Sequence, residues 1–383
     1  MSTQVRELLQ TMVSVPSVNP RDVEAPPNGT GEGPLAALVA STLEGAGLEV
    51  RLDQVLPGRP NVIATLAGRD RGRALLLETH LDTVEVDGMT IPPFTPEVRG
   101  GRLQGRGSCD AKGCLAAFMT ALTGAARRGV RPPTDVVLAA VMDEEHRFRG
   151  VLRVLDDAPR YRAAVVGEPS ELRLVAAHKG SVRIEVRAHG RTAHSSQPAD
   201  GDNAVERMAD VIAFVRDRLA PDAERIPHPL TGPATVCPTI VRGGSGFNVV
   251  PGSCSLFLDR RTLPGEDAHA VWREYRDRIQ SLAPGAIEVV PPALVDLALD
   301  TPRSSPVVEA LAAAMRAHGL DPDPIGVNYG TDASKIADRG IPSVVFGPGS
   351  IADAHQPDES VELAQVEAAA EVVAELIAAP AAP

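Results

Sequence analysis

Near-continuous apolar runs punctuate the first half of the chain. Val62-Ile63-Ala64-Thr65-Leu66, Ala74-Leu75-Leu76-Leu77, Val136-Val137-Leu138-Ala139-Ala140-Val141 and Ala163-Ala164-Val165-Val166 lack the alternation of a half-wet strand. Such runs belong to strands buried on both faces, as in a parallel sheet covered by helices. Helical periodicity fills the gaps at about 3–15, 32–47 and 113–128. Strands alternating with helices predict an α/β domain with a mostly parallel sheet.

The pattern changes near residue 179. Val182, Ile184, Val186 and Ala188 alternate with Arg183, Glu185 and Arg187, which describes a strand with one wet face. A helix is expected at about 203–219, with Val205, Met208, Val211, Ile212, Val215 and Leu219 on one stripe. Asn248 to Asp259 reads as a strand and about 267–282 as a helix. This block predicts a small α+β domain, two helices on an antiparallel sheet. After about residue 291 the first pattern returns, with a helix at 305–318, the strand Ser343-Val344-Val345-Phe346 and a last helix at 362–378. The middle block therefore reads as an insertion: 1–178 and 292–383 form one domain, 179–291 the other. Only the Ala/Pro tail after 378 is low in complexity.

Composition narrows the function. A chain of 383 residues suits two domains. Aromatics are only 3%, so Leu, Val, Ile and Ala must fill the core. The net charge of -12 argues against nucleic acid or an anionic membrane as partner. No apolar run reaches a membrane span, and Met1 to Glu7 carries no signal-peptide core, so cytoplasm is the expected location. The four cysteines, at 109, 114, 237 and 254, do not space as a zinc site and are expected to be free thiols.

Chemistry concentrates where strands end. Thr79-His80-Leu81-Asp82 follows one apolar run, and ligands gather at the carboxyl ends of strands in an open parallel sheet. A histidine there can bind zinc, with Asp82 holding its other N–H; a plain loop histidine is the alternative. Gly105-Arg106-Gly107-Ser108-Cys109-Asp110-Ala111-Lys112-Gly113 is a Gly-rich turn into a helix. It fails both phosphate-binding patterns, having Asp110 at the third glycine position and Gly113 after Lys112. Asp110 could bridge two cations, or simply cap the helix. Asp143-Glu144-Glu145 and Gly167-Glu168-Pro169 end two further strands, and His355-Gln356-Pro357-Asp358-Glu359 follows the strand at 343–346. Each signal alone fits an ordinary turn. Together His80, Asp110, Glu145, Glu168 and His355 make a nitrogen and oxygen donor set without thiolate, suited to Zn²⁺.

With these motifs in this order, the chain resembles the zinc peptidase/acylase family that contains acetylornithine deacetylase, succinyl-diaminopimelate desuccinylase, aminoacylase and carboxypeptidase G. The likeness runs from Val15-Pro16-Ser17-Val18-Asn19-Pro20 to the last helix. It implies a di-zinc exopeptidase-like α/β domain with an inserted ferredoxin-like lid, through which two copies dimerise. It implies that His80, Asp110 and Glu168 hold one metal, and that Asp110, Glu145 and His355 hold a second. Two divalent ions are expected, Zn²⁺ first, with Co²⁺ able to substitute. Asp82 would orient His80, and Glu144 would be the general base. His194, in Thr192-Ala193-His194-Ser195-Ser196, matches a lid histidine that reaches the partner subunit's site. Asn248 and Arg261 match substrate contacts, Arg261 with the substrate carboxylate, although Arg260 beside it competes for that role. Gly330 and Thr331 match a substrate loop, and Lys179 is either a carboxylate contact or a hinge residue.

The expected activity is removal of an acyl group from a small carboxylate-bearing N-acyl amino acid. Val327-Asn328-Tyr329-Gly330-Thr331-Asp332-Ala333 and Gly347-Pro348-Gly349-Ser350 look most like an acetylornithine deacetylase, which would imply arginine biosynthesis. A desuccinylase, aminoacylase, dipeptidase or carboxypeptidase of the same family is the alternative. A metal-free, non-catalytic binding protein on this fold is the alternative of another class.

Overall fold

The structure is a computed structural model that describes residues 2–23 and 31–379; residues 380–383 of the Ala/Pro tail lie outside it. The chain divides into two compact units. One comprises Met1–Ala176, Thr301–Ile325 and Thr331–Pro383, the other Ala177–Asp300 and Gly326–Gly330.

The apolar runs of the first unit become one mixed sheet. Its strand order is Glu49–Leu56, Arg59–Leu66, Thr134–Val141, Asp70–His80, Tyr161–Val166, Ser343–Val345, Val175–His178 and Leu299–Asp300, with Ile325–Val327 also paired to Val175–His178. The four strands from Thr134–Val141 to Ser343–Val345 run parallel, and the flanking pairs are antiparallel. Parallel strands share a carboxyl edge, so His80, Asp143-Glu144-Glu145, Gly167-Glu168 and the 347–355 loop all leave the sheet on one side. Every residue of Thr134–Val141 is buried, as an uninterrupted apolar run requires. The expected helices form as Gly33–Gly45, Lys112–Arg127, Pro306–Ala317 and Leu363–Ala378. Lys112–Arg127 and Leu363–Ala378 pack on each other within the core, where each fully buried Leu or Val stabilises by about 1.5–3 kcal/mol. Gly113 is required there, because a Cβ would stand 2.7 Å from the Ser108 carbonyl oxygen.

Some elements escaped the hydrophobic pattern. Glu49–Leu56 is an exposed edge strand whose mixed composition hides it. Three three-residue strands, Glu97–Arg99, Arg102–Gln104 and Ser360–Glu362, form a separate small sheet.

The second unit is an antiparallel sheet in the order Thr235–Gly243, Ser253–Thr262, Gly180–His189, Ile287–Val290. Helices Ala204–Phe214 and Ala268–Gln280 share one apolar cluster with its inner face. Gly180–His189 shows the expected alternation, with Val182, Ile184, Val186 and Ala188 buried. Two expectations shift. The strand read at Asn248–Asp259 starts at Ser253, because Pro251-Gly252 breaks the chain before it. The first helix continues as a π-helical turn, Val215–Leu219, and its buried stripe is Ala204, Met208, Val211, Val215 and Leu219. Val205 lies beside that stripe and is 40% exposed.

No helix among the described residues is long and apolar enough to cross a membrane. The four cysteines are free.

Candidate metal centre

The carboxyl edge of the first unit's sheet gathers five donors into two overlapping sets, His80-Asp110-Glu168 and Asp110-Glu145-His355. Within each set the donor atoms lie within 4.8 Å of one another. Asp110 belongs to both. Its Oδ1 is 2.9 Å from His80 Nε2, and its Oδ2 is 3.1 Å from His355 Nε2. His355 Nε2 also lies 2.9 Å from Glu145 Oε1, and His80 Nε2 lies 3.8 Å from Glu168 Oε1. His80, Asp110 and Glu168 are buried; the His355 side chain is 47% exposed and forms the open flank.

Local structure sets each donor. His80 is the last residue of its strand. Asp110 closes the Gly-rich turn, in which Gly107 has φ +80°, a left-handed conformation that favours glycine. The Asp110–Ala111 peptide bond is cis. Ala111, not Asp110, stands at the N-cap of Lys112–Arg127, so the capping alternative fails and the Asp110 carboxylate faces the two histidines.

Asp82 lies against the other ring nitrogen of His80. The nearest acceptor for His80 Nδ1 is the Asp82 backbone carbonyl at 2.9 Å, with its carboxylate at 3.7 Å. That carboxylate instead accepts Glu144 N at 3.1 Å, Glu145 N at 3.0 Å and Asn19 Nδ2 at 2.7 Å. One aspartate thus fixes both the His80 ring and the turn that carries Glu144 and Glu145.

Behind it lies a polar network that the sequence reading did not assign. Asp143 adopts φ +68°, uncommon for a residue other than glycine. Its carboxylate accepts from Asn19 at 3.1 Å, Arg59 at 3.2 Å and Arg149 at 2.5 Å. Its carbonyl accepts Phe148 N at 2.8 Å, which closes the turn. Arg59 also bonds Glu32 through Nε at 2.7 Å, and Arg59 and Glu32 are fully buried. An arginine opening an apolar strand, Arg59-Pro60-Asn61-Val62, was the one signal that could have pointed here. A further buried carboxyl, Glu78, sits two residues before His80 against Asp332, and burial raises its pKa well above the carboxylate range.

The charges explain why these groups suit a cation. Burial alone would lower the His80 pKa, but Glu168, Asp110 and Asp82 outweigh it and raise it well above the imidazole range. Hydrogen bonds to Asp110 and Glu145 push His355 up to about 10. Burial raises Glu168 and Glu144 well above the carboxylate range, with His80 opposing it. The carboxylates outnumber the imidazoles, and no thiolate is present, a donor set that fits two divalent ions of the zinc type. Dications would have to displace the protons of both His80 and His355. At any pH below about 10, metal uptake by the stripped protein is therefore expected to release protons, and apparent affinity to rise with pH up to that value. Calorimetry in buffers of different ionisation enthalpy measures this; heats independent of buffer would refute it.

The second unit holds the remaining candidates except Thr331. His194 forms a bridge to Val249, and Ser195 N donates to the Asn248 carbonyl at 2.9 Å, so His194 and Asn248 are neighbours. Ser196 Oγ, at 2.7 Å, and Ser196 N, at 3.2 Å, both lie against His194 Nδ1. The two arginines face opposite ways. Along Ser253–Thr262, Arg260 follows the buried register and turns to the helix side, bonding Tyr275 Oη at 3.1 Å and Glu266 at 2.7 Å. Arg261 points to the opposite face, 3.0 Å from Asp259 and 34% exposed. Lys179 donates to the Pro233 carbonyl at 2.5 Å; burial lowers its pKa, and Arg261 and Arg260 lower it further. Gly330 leaves no room for a side chain, since a Cβ would stand 1.9 Å from Asp296 Oδ2. Thr331, in the first unit, is buried and accepts Lys335 Nζ through its carbonyl at 3.0 Å.

Residues 76–379 match Peptidase family M20/M25/M40. Acetylornithine deacetylase of Proteus mirabilis (strain HI4320) is 31% identical over 386 aligned positions, covering 97% of this chain and 95% of that protein. Among solved structures, the M20 family metallo-carboxypeptidase Sso-CP2 of Sulfolobus solfataricus superposes with a TM-score of 0.81 at 18% identity, covering 98% of each chain. The YXEP protein of Bacillus subtilis, a dinuclear metal binding peptidase, gives a TM-score of 0.72 at 17% identity, covering 98% of this chain and 97% of that one.

Proposed function

Because the chain belongs to peptidase family M20/M25/M40, we propose that it is a two-metal deacylase that cuts the amide of a small N-acyl amino acid, as its acetylornithine deacetylase relative does by name. The observation that carries this reading is the sharing of Asp110 between two donor sets at one sheet edge. His80, Asp110 and Glu168 would hold one ion; Asp110, Glu145 and His355 would hold the other. Two divalent ions, when bound, supply Lewis acidity: they polarise a carbonyl and make water acidic enough to attack it near neutral pH.

The chain's own residues do the rest. Glu144 is held through its backbone N–H by Asp82, beside the ligand Glu145. Its raised pKa suits a group that accepts a proton from the attacking water and returns it to the leaving nitrogen. His194, whose Nδ1 is engaged by Ser196, offers its Nε2 side as a donor to a developing oxyanion. In this reading two copies pair through the inserted unit, and His194 serves the partner subunit's site. Arg261, on the open face of its strand, receives the substrate carboxylate, with Asn248 and Lys179 as further contacts and Gly330 and Thr331 forming the substrate loop. Arg260, engaged with Tyr275 and Glu266, is structural.

Zn²⁺ is the proposed ion and N-acetylornithine the proposed substrate. The test is a panel of N-acetyl and N-succinyl amino acids, dipeptides and tripeptides, assayed on stripped protein with Zn²⁺ or Co²⁺ restored. Turnover should vanish on stripping, return with either ion and peak on N-acetyl amino acids. A preference for peptides would move the assignment to a peptidase, and metal-independent turnover would end the two-metal reading.

A further inference from the structure

Glu359 occupies a place that none of the proposed chemistry uses. It is buried, four residues after His355, at the foot of the half-exposed loop. Its side chain crosses to the other ligand-bearing loop. Oε1 accepts Cys109 N at 2.9 Å and Asp110 N at 3.1 Å; Oε2 accepts Gly107 N at 3.1 Å and Arg106 Nη1 at 2.7 Å. The Glu359 carbonyl accepts Gly105 N at 3.0 Å, and Ser360–Glu362 then pairs in register with Arg102–Gln104. One carboxylate therefore takes up the turn's N–H groups, including that of Asp110 itself. A concave run of backbone N–H groups is an anion cradle, and here the anion is the protein's own.

We infer that Glu359 is a positioning residue for the metal pair: it locks the Asp110 turn to the His355 loop and so fixes the distance between two ligands of the same ion. Resting on the two-metal reading, this assigns the carboxylate no contact with metal or substrate. Asp110 belongs to both sets, but only one of them also takes a ligand from the loop that Glu359 ties down, so the two depend on it unequally. His80 and Glu168 are buried at strand ends and fixed independently. His355 sits on a loop, and Glu359 ties that loop to Asp110.

Glu359→Gln is the informative change. The side chain keeps its size, but its amide nitrogen would face N–H groups on one side of the cradle. Metal titration of stripped wild-type and variant protein, followed by calorimetry and by the Co²⁺ absorption spectrum, separates the effects. The equivalent held by Asp110, Glu145 and His355 should lose about 10–100-fold in affinity, as when other supporting partners of metal ligands are removed, with an altered Co²⁺ spectrum. The other equivalent should change much less, and the metal-free variant should still melt cooperatively. Wild-type affinity at both equivalents overturns the inference. So does an equal loss at both with a lowered metal-free melting temperature, which marks a general structural role. If Glu359→Gln does not fold, Glu359→Asp keeps both oxygens one methylene short, and an intermediate loss confined to one equivalent is expected; no loss overturns the inference. Wild-type protein that binds fewer than two ions removes the two-metal reading itself, and the inference with it.

Discussion

Replacing Glu144 with Ala is expected to leave two metal ions bound while cutting turnover by about 10²–10⁴, the range for loss of a general base. The separation follows from the geometry. Glu144 belongs to neither donor set, whereas Glu145 beside it belongs to one. The Asp82 bonds that hold both residues go to their backbone N–H groups, which alanine keeps. KM should move little, because the group acts on a proton in flight rather than on bound substrate. Metal analysis beside steady-state kinetics decides it: normal turnover, or loss of metal in step with activity, would reassign the residue. The same variant tests the dimer. Mixing Glu144→Ala chains with His194→Ala chains should restore part of the activity, since one site in a mixed dimer would then have both groups intact. No restoration would place His194 in its own subunit's chemistry or outside the chemistry altogether.

Arg59→Met should destabilise the protein by about 3–5 kcal/mol, the usual effect of removing one partner of a buried ion pair. Arg59 and Glu32 are fully buried, and the guanidinium serves Glu32 and Asp143 together. Without it, Glu32 would remain desolvated with no cation, since Arg149 compensates only Asp143. Burial already raises the Glu32 pKa against the pull of Arg59. Replacing Glu32 with Met as well should recover much of the loss, because apolar pairs often substitute for buried ion pairs at little cost. Urea unfolding of the two variants measures both effects; a loss under about 1 kcal/mol for Arg59→Met would show that water reaches the network.

The two variants probe different layers of one construction. Glu144 stands on a turn that Asp82 fixes from one side and Asp143 from the other, and Asn19 joins these two aspartates. Arg59 and Glu32 form the outer layer. On the proposed mechanism stability and catalysis draw on one network, since the Glu144 turn rests on charges buried behind it.

How much of this was legible in the chain depends on the range of the interaction. The apolar runs at 62–66, 74–77, 136–141 and 163–166 located the central strands, because burial on both faces leaves an unmistakable composition. Period-two alternation at 182–188 marked the change of architecture for the same reason. Glu49–Leu56 was missed because an edge strand buries little and so constrains little. His80, Glu145, Glu168 and His355 were readable as polar residues following parallel strands, since a parallel sheet presents its loops at a common edge, whereas Asp110 was marked only by its Gly-rich turn before a helix.

The sequence by itself determined the central strands, the main helices, the sheet edge where chemistry would collect and the residue types able to hold a cation, since each of these follows from local periodicity or side-chain chemistry. Tertiary structure alone decided the rest: that Asp110 meets both His80 and His355, that Arg260 turns inward and Arg261 outward, that Asp82 holds His80 through its carbonyl, and that Arg59 and Glu359 brace the site from behind. The physical reason is distance along the chain. Glu359 and Asp110 are 249 positions apart, and Arg59 and Asp143 are 84. Hydrogen bonds over such separations leave no periodic trace in the sequence, because the groups are brought together only by the closure of the sheet.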